Sequence, residues 1–233
     1  MSTLVSYDLV DSIATITMDD GRVNALSLSM LTELDAAFDR AASDRAVVVL
    51  TGRDGVFSAG FDLRVLRAGG SEAIAMVRAG FELAERVLAF PMPVVIACPG
   101  HAIAMGAFLL LSGDYRVGVL GPYKFTANEV AIGLTMPLAA IEILRQRLAP
   151  AQFNRAVMLA ETFAPEAAAE AGFLDRVVEP CELPAVARET AVALSSLDMR
   201  AHAATKSCAR GRTRSKPSGR ASMPTTRRCD ARR

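Results

Sequence analysis

Gly55-Val56-Phe57-Ser58-Ala59-Gly60-Phe61-Asp62-Leu63 is one of two runs of small residues that follow a short apolar stretch. The other is Pro99-Gly100-His101-Ala102-Ile103-Ala104-Met105-Gly106-Ala107. Val47–Leu50 precedes the first run and Val94–Cys98 the second. Four or five apolar, mostly β-branched residues without alternation read as strands buried on both faces, as in a parallel sheet. The second run leads into Ala104–Ser112, so nearly all apolar that it predicts a buried helix. Small residues let a ligand approach the backbone, and peptide N–H groups at a helix start stabilise an anion. Two such loops on neighbouring strands can aim two N–H groups at one oxygen. Glycine spacing alone favours plain tight turns.

Working outward, Leu4–Leu9 and Val10–Met18 predict two antiparallel strands. Ser27 or Ser29 caps a helix carrying Leu31, Leu34, Phe38 and Ala41 at helical spacing. Ser71 and Glu72 open another, with Ile74, Val77, Phe81, Ala84 and Leu88 on one face, ended by Pro91 and Pro93. Asp114–Val119 returns as a strand. Helices begin near Pro137, Pro150, Pro165 and Glu182. The order predicts an α/β core to about residue 150 and a helical C-terminal part to 205.

The 233 residues suit one large domain, or one plus an appendage. An apolar share of 52% excludes wholesale disorder. The net charge of +1 conceals an asymmetry: Lys206–Arg233 holds ten Lys/Arg and one acid, leaving sixteen bases against twenty-four acids upstream. An acidic body argues against a nucleic-acid-binding core. The segment 206–233 is Arg/Ser/Thr-rich and lacks periodicity. It reads as a basic disordered tail, as a nucleic-acid-binding tail, or as the product of a slipped reading frame. Four scattered cysteines predict reduced thiols, and the N-terminal residues carry no signal-peptide pattern. Pro99-Gly100-His101 interrupts the longest apolar window, Val94–Leu111, which argues against a membrane span. A cytoplasmic globular protein is expected.

Elimination narrows the chemistry. Two histidines, His101 and His202, make a His-rich metal site a poor expectation, and no metal is expected. No Walker, Gly-x-Gly-x-x-Gly, Gly-x-Ser-x-Gly or His-Glu-x-x-His string occurs. His101, after a strand and a Pro-Gly break, reads as a packed or a turn histidine.

Phe57-Ser58-Ala59-Gly60-x-Asp62-Leu63 resembles the first oxyanion-loop signature of the crotonase (enoyl-CoA hydratase/isomerase) superfamily. Gly100-x-Ala102-x-Ala104-x-Gly106 with Asp114-Tyr115-Arg116 resembles the second. Val23-Asn24-Ala25-Leu26-Ser27, Asn128-Glu129-x-x-Ile132-Gly133-Leu134 and Ala171-Gly172-Phe173-Leu174-Asp175-x-Val177-Val178 follow that family's order, so the resemblance runs from about Leu4 to Lys206.

The resemblance implies an α/β crotonase-like (ClpP/crotonase) spiral of ββα units with a helical C-terminal region, assembled as a homotrimer or dimer of trimers. It implies an acyl-CoA thioester substrate, with coenzyme A part of the substrate and no separate cofactor. The backbone N–H groups of Ala59 and Met105 would form the oxyanion hole, although Met105 stands where the family usually has glycine. Asn24, Ala25, Leu26, Ala59, Gly60, Phe61, Asp62 and Leu63 would line the CoA side, with Arg22, Arg53 and Arg64 as phosphate partners. Hydratases of the family use two glutamates. Here one position is Phe108, which would line the substrate site instead, and the other Glu129.

A single carboxylate beside an oxyanion hole suffices to carry a proton from C2 to C4 of an enoyl thioester, whereas hydration also needs a positioned water. The pattern is closest to the Δ3,Δ2-enoyl-CoA isomerases, with Glu129 as acid and base and its pKa raised by an apolar pocket. Enoyl-CoA hydratase activity and non-catalytic acyl-CoA binding are the alternatives.

Overall fold

The computed structural model describes residues 3–210. The chain opens with a hairpin of β1 (Val5–Val10) and β2 (Ile13–Met18). Asp11 and Ser12 turn it, both at positive φ, where the backbone twist matches that of the paired strands. Helix α1 (Leu28–Ser43) follows, its cap being Ser27, whose side chain accepts from the Met30 N–H.

Three turns of one pattern come next. The first is β3 (Val47–Thr51), β4 (Gly55–Ser58), a short α2 (Leu63–Ala68) and α3 (Gly70–Ala89). The second is β5 (Val94–Cys98), β6 (Gly100–Ile103) and α4 (Met105–Ser112). The third is β7 (Tyr115–Val119), β8 (Phe125–Thr126), a 3-10 turn at Val130–Ile132 and α5 (Leu138–Arg147). The leading strand of each turn enters a six-stranded sheet and the second strand a three-stranded sheet, β4-β6-β8. Helices α6 (Pro150–Leu159) and α7 (Pro165–Ala171), strand β9 (Arg176–Val178), and helices α8 (Leu183–Ser195) and α9 (Met199–Arg210) follow among the described residues. The large sheet runs β1-β2-β3-β5-β7-β9, parallel after the opening hairpin. This is the expected crotonase-like spiral.

The unbroken apolar runs of β3 and β5 now have a physical reason. Val48, Leu50, Val94 and Ile96 face the main core, while Val47, Val49, Val95 and Ala97 meet Leu183, Val186, Ala187 and Ala191 of α8. Covered on both faces, these strands need no polar alternation. All eight residues of α4 are buried, matching its continuous apolarity.

An ionic clamp closes the far edge. Arg116 on β7, 4% exposed, donates through Nε and Nη2 to Asp175 at 2.8 and 2.7 Å, and through Nη1 to the Gly172 carbonyl at 2.7 Å. The bidentate geometry ties β7 to the α7–β9 junction.

The expected boundary at Lys206 is corrected. Helix α9 continues to Arg210, and Lys206 is buried, its Nζ 2.6 Å from Asp114 and 3.4 Å from the Met92 carbonyl. Arg210 pairs with Asp114 at 2.9 Å and donates to the Leu88 and Ser112 carbonyls. The rest of the tail, 211–233, lies outside the described residues.

Candidate active site

The loops after β4 and β6 are pressed together. A Cβ on Gly60 would stand 3.1 Å from the Ala104 Cβ and 3.3 Å from the Met105 nitrogen. One on Gly106 would overlap the Ser58 carbonyl, so only glycine lets α4 start against the end of β4.

A third segment holds the first loop in place. Asn24 is fully buried at φ 51°, and its Nδ2 donates to the Met18 and Phe57 carbonyls at 3.0 and 3.1 Å. Its Oδ1 accepts from the Asp20 N–H, and its own carbonyl accepts from the Ser58 hydroxyl at 2.7 Å. The Leu26 N–H donates to the Gly60 carbonyl at 2.8 Å. Burial acts to raise the Asp20 pKa, but the amides of Ala25, Asn24 and Arg22 donate to its carboxylate and hold it below the usual value.

These bonds decide which amides remain available. The Ala59 N–H donates to the Val23 carbonyl at 3.0 Å, which corrects its expected place in the oxyanion hole. The Gly60 N–H donates to the Ser58 hydroxyl at 3.1 Å. The Phe61 N–H donates to no atom among the described residues. From the second loop comes the Met105 N–H, first of α4 and likewise undonated among the described residues. Ala104 aims it from φ 51°, ψ −124°, a conformation that a non-glycine residue adopts only under strain. The Met105 side chain is buried, its Cγ 3.5 Å from where a Cβ on Gly80 of α3 would lie.

Strand β8 brings the carboxylate. The Ala104 N–H donates to the Thr126 carbonyl at 2.9 Å, and three residues later Glu129 heads the 3-10 turn. Glu129 is 7% exposed, and its Oε2 has no hydrogen-bond partner among the described residues. Burial pushes its pKa up to about 7, against a smaller opposing effect of its own backbone N–H. Phe108 of α4 is buried, stacked on Phe81 of α3 at 6.2 Å between centroids. Phe81 in turn meets the Phe61 ring edge-on at 6.5 Å.

The other expected residues divide. Asn24 and Leu26 are buried staples of the loop and do not line a binding surface, which corrects their expected role. Ala25 is half-buried, its N–H on Asp20. Asp62 caps α2 by accepting the Arg64 N–H and pairs with the Arg64 side chain at 3.1 Å. Leu63 is half exposed. Arg53 pairs with Asp19 at 3.1 Å and donates to the Arg22 carbonyl. The His101 Nδ1 accepts from the Lys124 N–H while its ring meets Tyr123 edge-on, so it is a packed histidine, on strand β6 and not in a turn. Sequence reasoning missed the Phe61 amide. The signal was Ser58 two residues before Gly60, a spacing at which a serine hydroxyl takes up a nearby backbone amide.

Fold and site together define a crotonase-type protein: a ββα spiral whose strand-end loops carry undonated amides, with a buried carboxylate on the turn that follows the strand paired to the second loop. A model of the enoyl-CoA hydratase/isomerase family matches residues 8–223, and the chain belongs to that family. Human mitochondrial enoyl-CoA delta isomerase 1 is 32% identical over 181 residues, covering 75% of this chain and 60% of that protein. The probable enoyl-CoA hydratase echA17 of Mycobacterium avium is 34% identical over 162 residues, covering 67% and 62%. The matched region is therefore about three fifths of the length of these two relatives.

Among solved structures, an apo enoyl-CoA isomerase of Mycobacterium tuberculosis is 50% identical with a TM-score of 0.87, covering 91% of this chain and 93% of that one. An enoyl-CoA hydratase/isomerase family protein from Pseudomonas syringae is 49% identical with a TM-score of 0.88, covering 89% and 90%. Human mitochondrial delta3-delta2-enoyl-CoA isomerase is 28% identical with a TM-score of 0.85, covering 90% and 84%. Among the described residues, no helix is long and apolar enough to cross a membrane.

Proposed function

We propose that the protein converts 3-enoyl-CoA to 2-enoyl-CoA. The observation that carries this reading is the buried carboxylate of Glu129, whose Oε2 has no hydrogen-bond partner among the described residues, with Phe108 where a second carboxylate would be needed for hydration. The thioester oxygen accepts from the Phe61 and Met105 amides. The ionised Glu129 takes a proton from C2, and the electron pair delocalises toward that oxygen, where the two donors stabilise the charge. The same carboxyl returns the proton at C4 as the double bond moves to C2–C3. No atom is gained or lost. A carboxyl with a pKa near neutrality is well matched to taking and giving back one proton.

Coenzyme A is part of the substrate, and the reaction needs no further cofactor. The protein assembles as a homotrimer or dimer of trimers, a reading supported by exposed Val130, Ile132 and Leu134 beside exposed Met158 and Leu159. Its solution mass should be three or six times 24.7 kDa by light scattering. The deciding experiment supplies 3-enoyl-CoA and 2-enoyl-CoA separately and identifies the products, with Glu129→Gln as control. Formation of 2-enoyl-CoA from the first and no 3-hydroxyacyl-CoA from the second is expected. Dominant hydration, or activity that survives Glu129→Gln, overturns the reading.

A further inference from the structure

We propose that Phe81 sets the acyl-chain length this site accepts, by standing between the site and a groove that would otherwise receive the distal carbons. The inference rests on the acyl-CoA reading and adds a substrate class, short- and medium-chain thioesters.

The rings around the site form one wall. An acyl group whose oxygen lies on the Phe61 and Met105 amides leaves the site past the side chains nearest those amides. The Phe61 ring lies against α3 at Gly80, where any Cβ would overlap it, and the Met105 side chain runs to the same place. Phe108, 1% exposed, is packed on the α4 side against Phe81. Phe81 touches both neighbours, stacked on Phe108 and edge-on to Phe61.

Beyond this wall lies a cavity of about 650 Å³ between α3, α5 and α9. Phe81 lines it together with Leu88, Leu138 and Ile143, alongside charged residues that include Arg78 and Glu142. Its size is within the range of small-ligand pockets, and its apolar side chains, Phe81 among them, suit an alkyl chain. One half-buried ring thus belongs to the site on one side and to the groove on the other. Phe61 and Phe108 are held by their surroundings, which leaves Phe81 as the removable partition.

The test is binding of saturated acyl-CoAs, from butyryl- to hexadecanoyl-CoA, measured by calorimetry on the full chain. Wild type, Phe81→Ala and Phe81→Trp are compared. Wild-type affinity should stop rising in the short- to medium-chain part of the series, and a rise that continues into the long-chain thioesters overturns the proposal. Phe81→Ala should continue past that length, gaining about fourfold for each methylene that enters the groove. Phe81→Trp should stop earlier.

A plateau that stays at one length in all three proteins overturns the proposal, as does a wild type with no plateau. Saturated thioesters do not react, so the two readings fail separately. A plateau that moves without isomerase turnover overturns the isomerase reading alone, and turnover with an unmoved plateau overturns only this one. Failure to bind any thioester overturns both.

Discussion

Replacing Glu129 by Gln should make the protein more stable, and the gain should depend on pH in a defined sense. Glu129 rises from an ordinary pKa of 4.5 to about 7 on folding because burial disfavours its charge. At about 1.4 kcal/mol per tenfold, ionised Glu129 costs the folded state roughly 3 kcal/mol. The folded chain holds this proton more tightly than the unfolded one. Stability is therefore intact below pH 4.5, falls as pH rises toward 7, and levels off above it. Glutamine has no proton to lose. Between pH 5.5 and 8.5, Glu129→Gln should gain about 2 kcal/mol on wild type by urea denaturation. In wild type, kcat/KM should rise as pH passes through about 7, since the base must first be ionised. A stability difference that is flat with pH, or that widens toward acid, would refute both the burial of this charge and its role as base.

Three further outcomes are expected. Arg116→Ala should cost about 3 kcal/mol in chemical denaturation, because Asp175 and the Gly172 carbonyl lose their partner. A loss below about 1 kcal/mol would show that the clamp is solvated. Ala104→Gly should stabilise by about 1 kcal/mol, strain relief outweighing the entropy of glycine, and raise Tm by a few degrees. A lower Tm would mean that the backbone at Ala104 is relaxed. A chain ending at Lys206 should melt below one ending at Arg210, since only the longer one keeps the bonds to Asp114, Leu88 and Ser112. Equal melting would restore the expectation that nothing after Lys206 contributes.

Elements that bury a continuous apolar run were legible in the sequence. These include β3, β5 and α4, and Ser27 was among the foreseen caps. The second sheet was not, because β4 and β6 have four residues each, begin with glycine and look like loop, while β8 has only two. These strands exist through close backbone approach between units, which leaves no periodicity to read. Glu129 stands out in the sequence through its motif, and the structure leaves it 7% exposed. Ala59 was misplaced because side-chain patterns do not say which of three adjacent amides is already donated. Lys206 and Arg210 looked like tail because their partner, Asp114, is remote in sequence.

The hydroxyl of Ser58 touches no proposed reacting atom, yet it has a bearing on fidelity. Three consecutive amides follow β4, and two are occupied, one by the Val23 carbonyl and one by Ser58 itself. An incoming carbonyl therefore meets a single vacant donor on this loop and has one way to sit. With alanine at position 58, Gly60 would offer a second, and the thioester would divide between two registers about one residue apart. Only one of these would present C2 to Glu129. Such a variant would bind its ligand well and turn over slowly, a decoy created by removing a group that performs no chemistry.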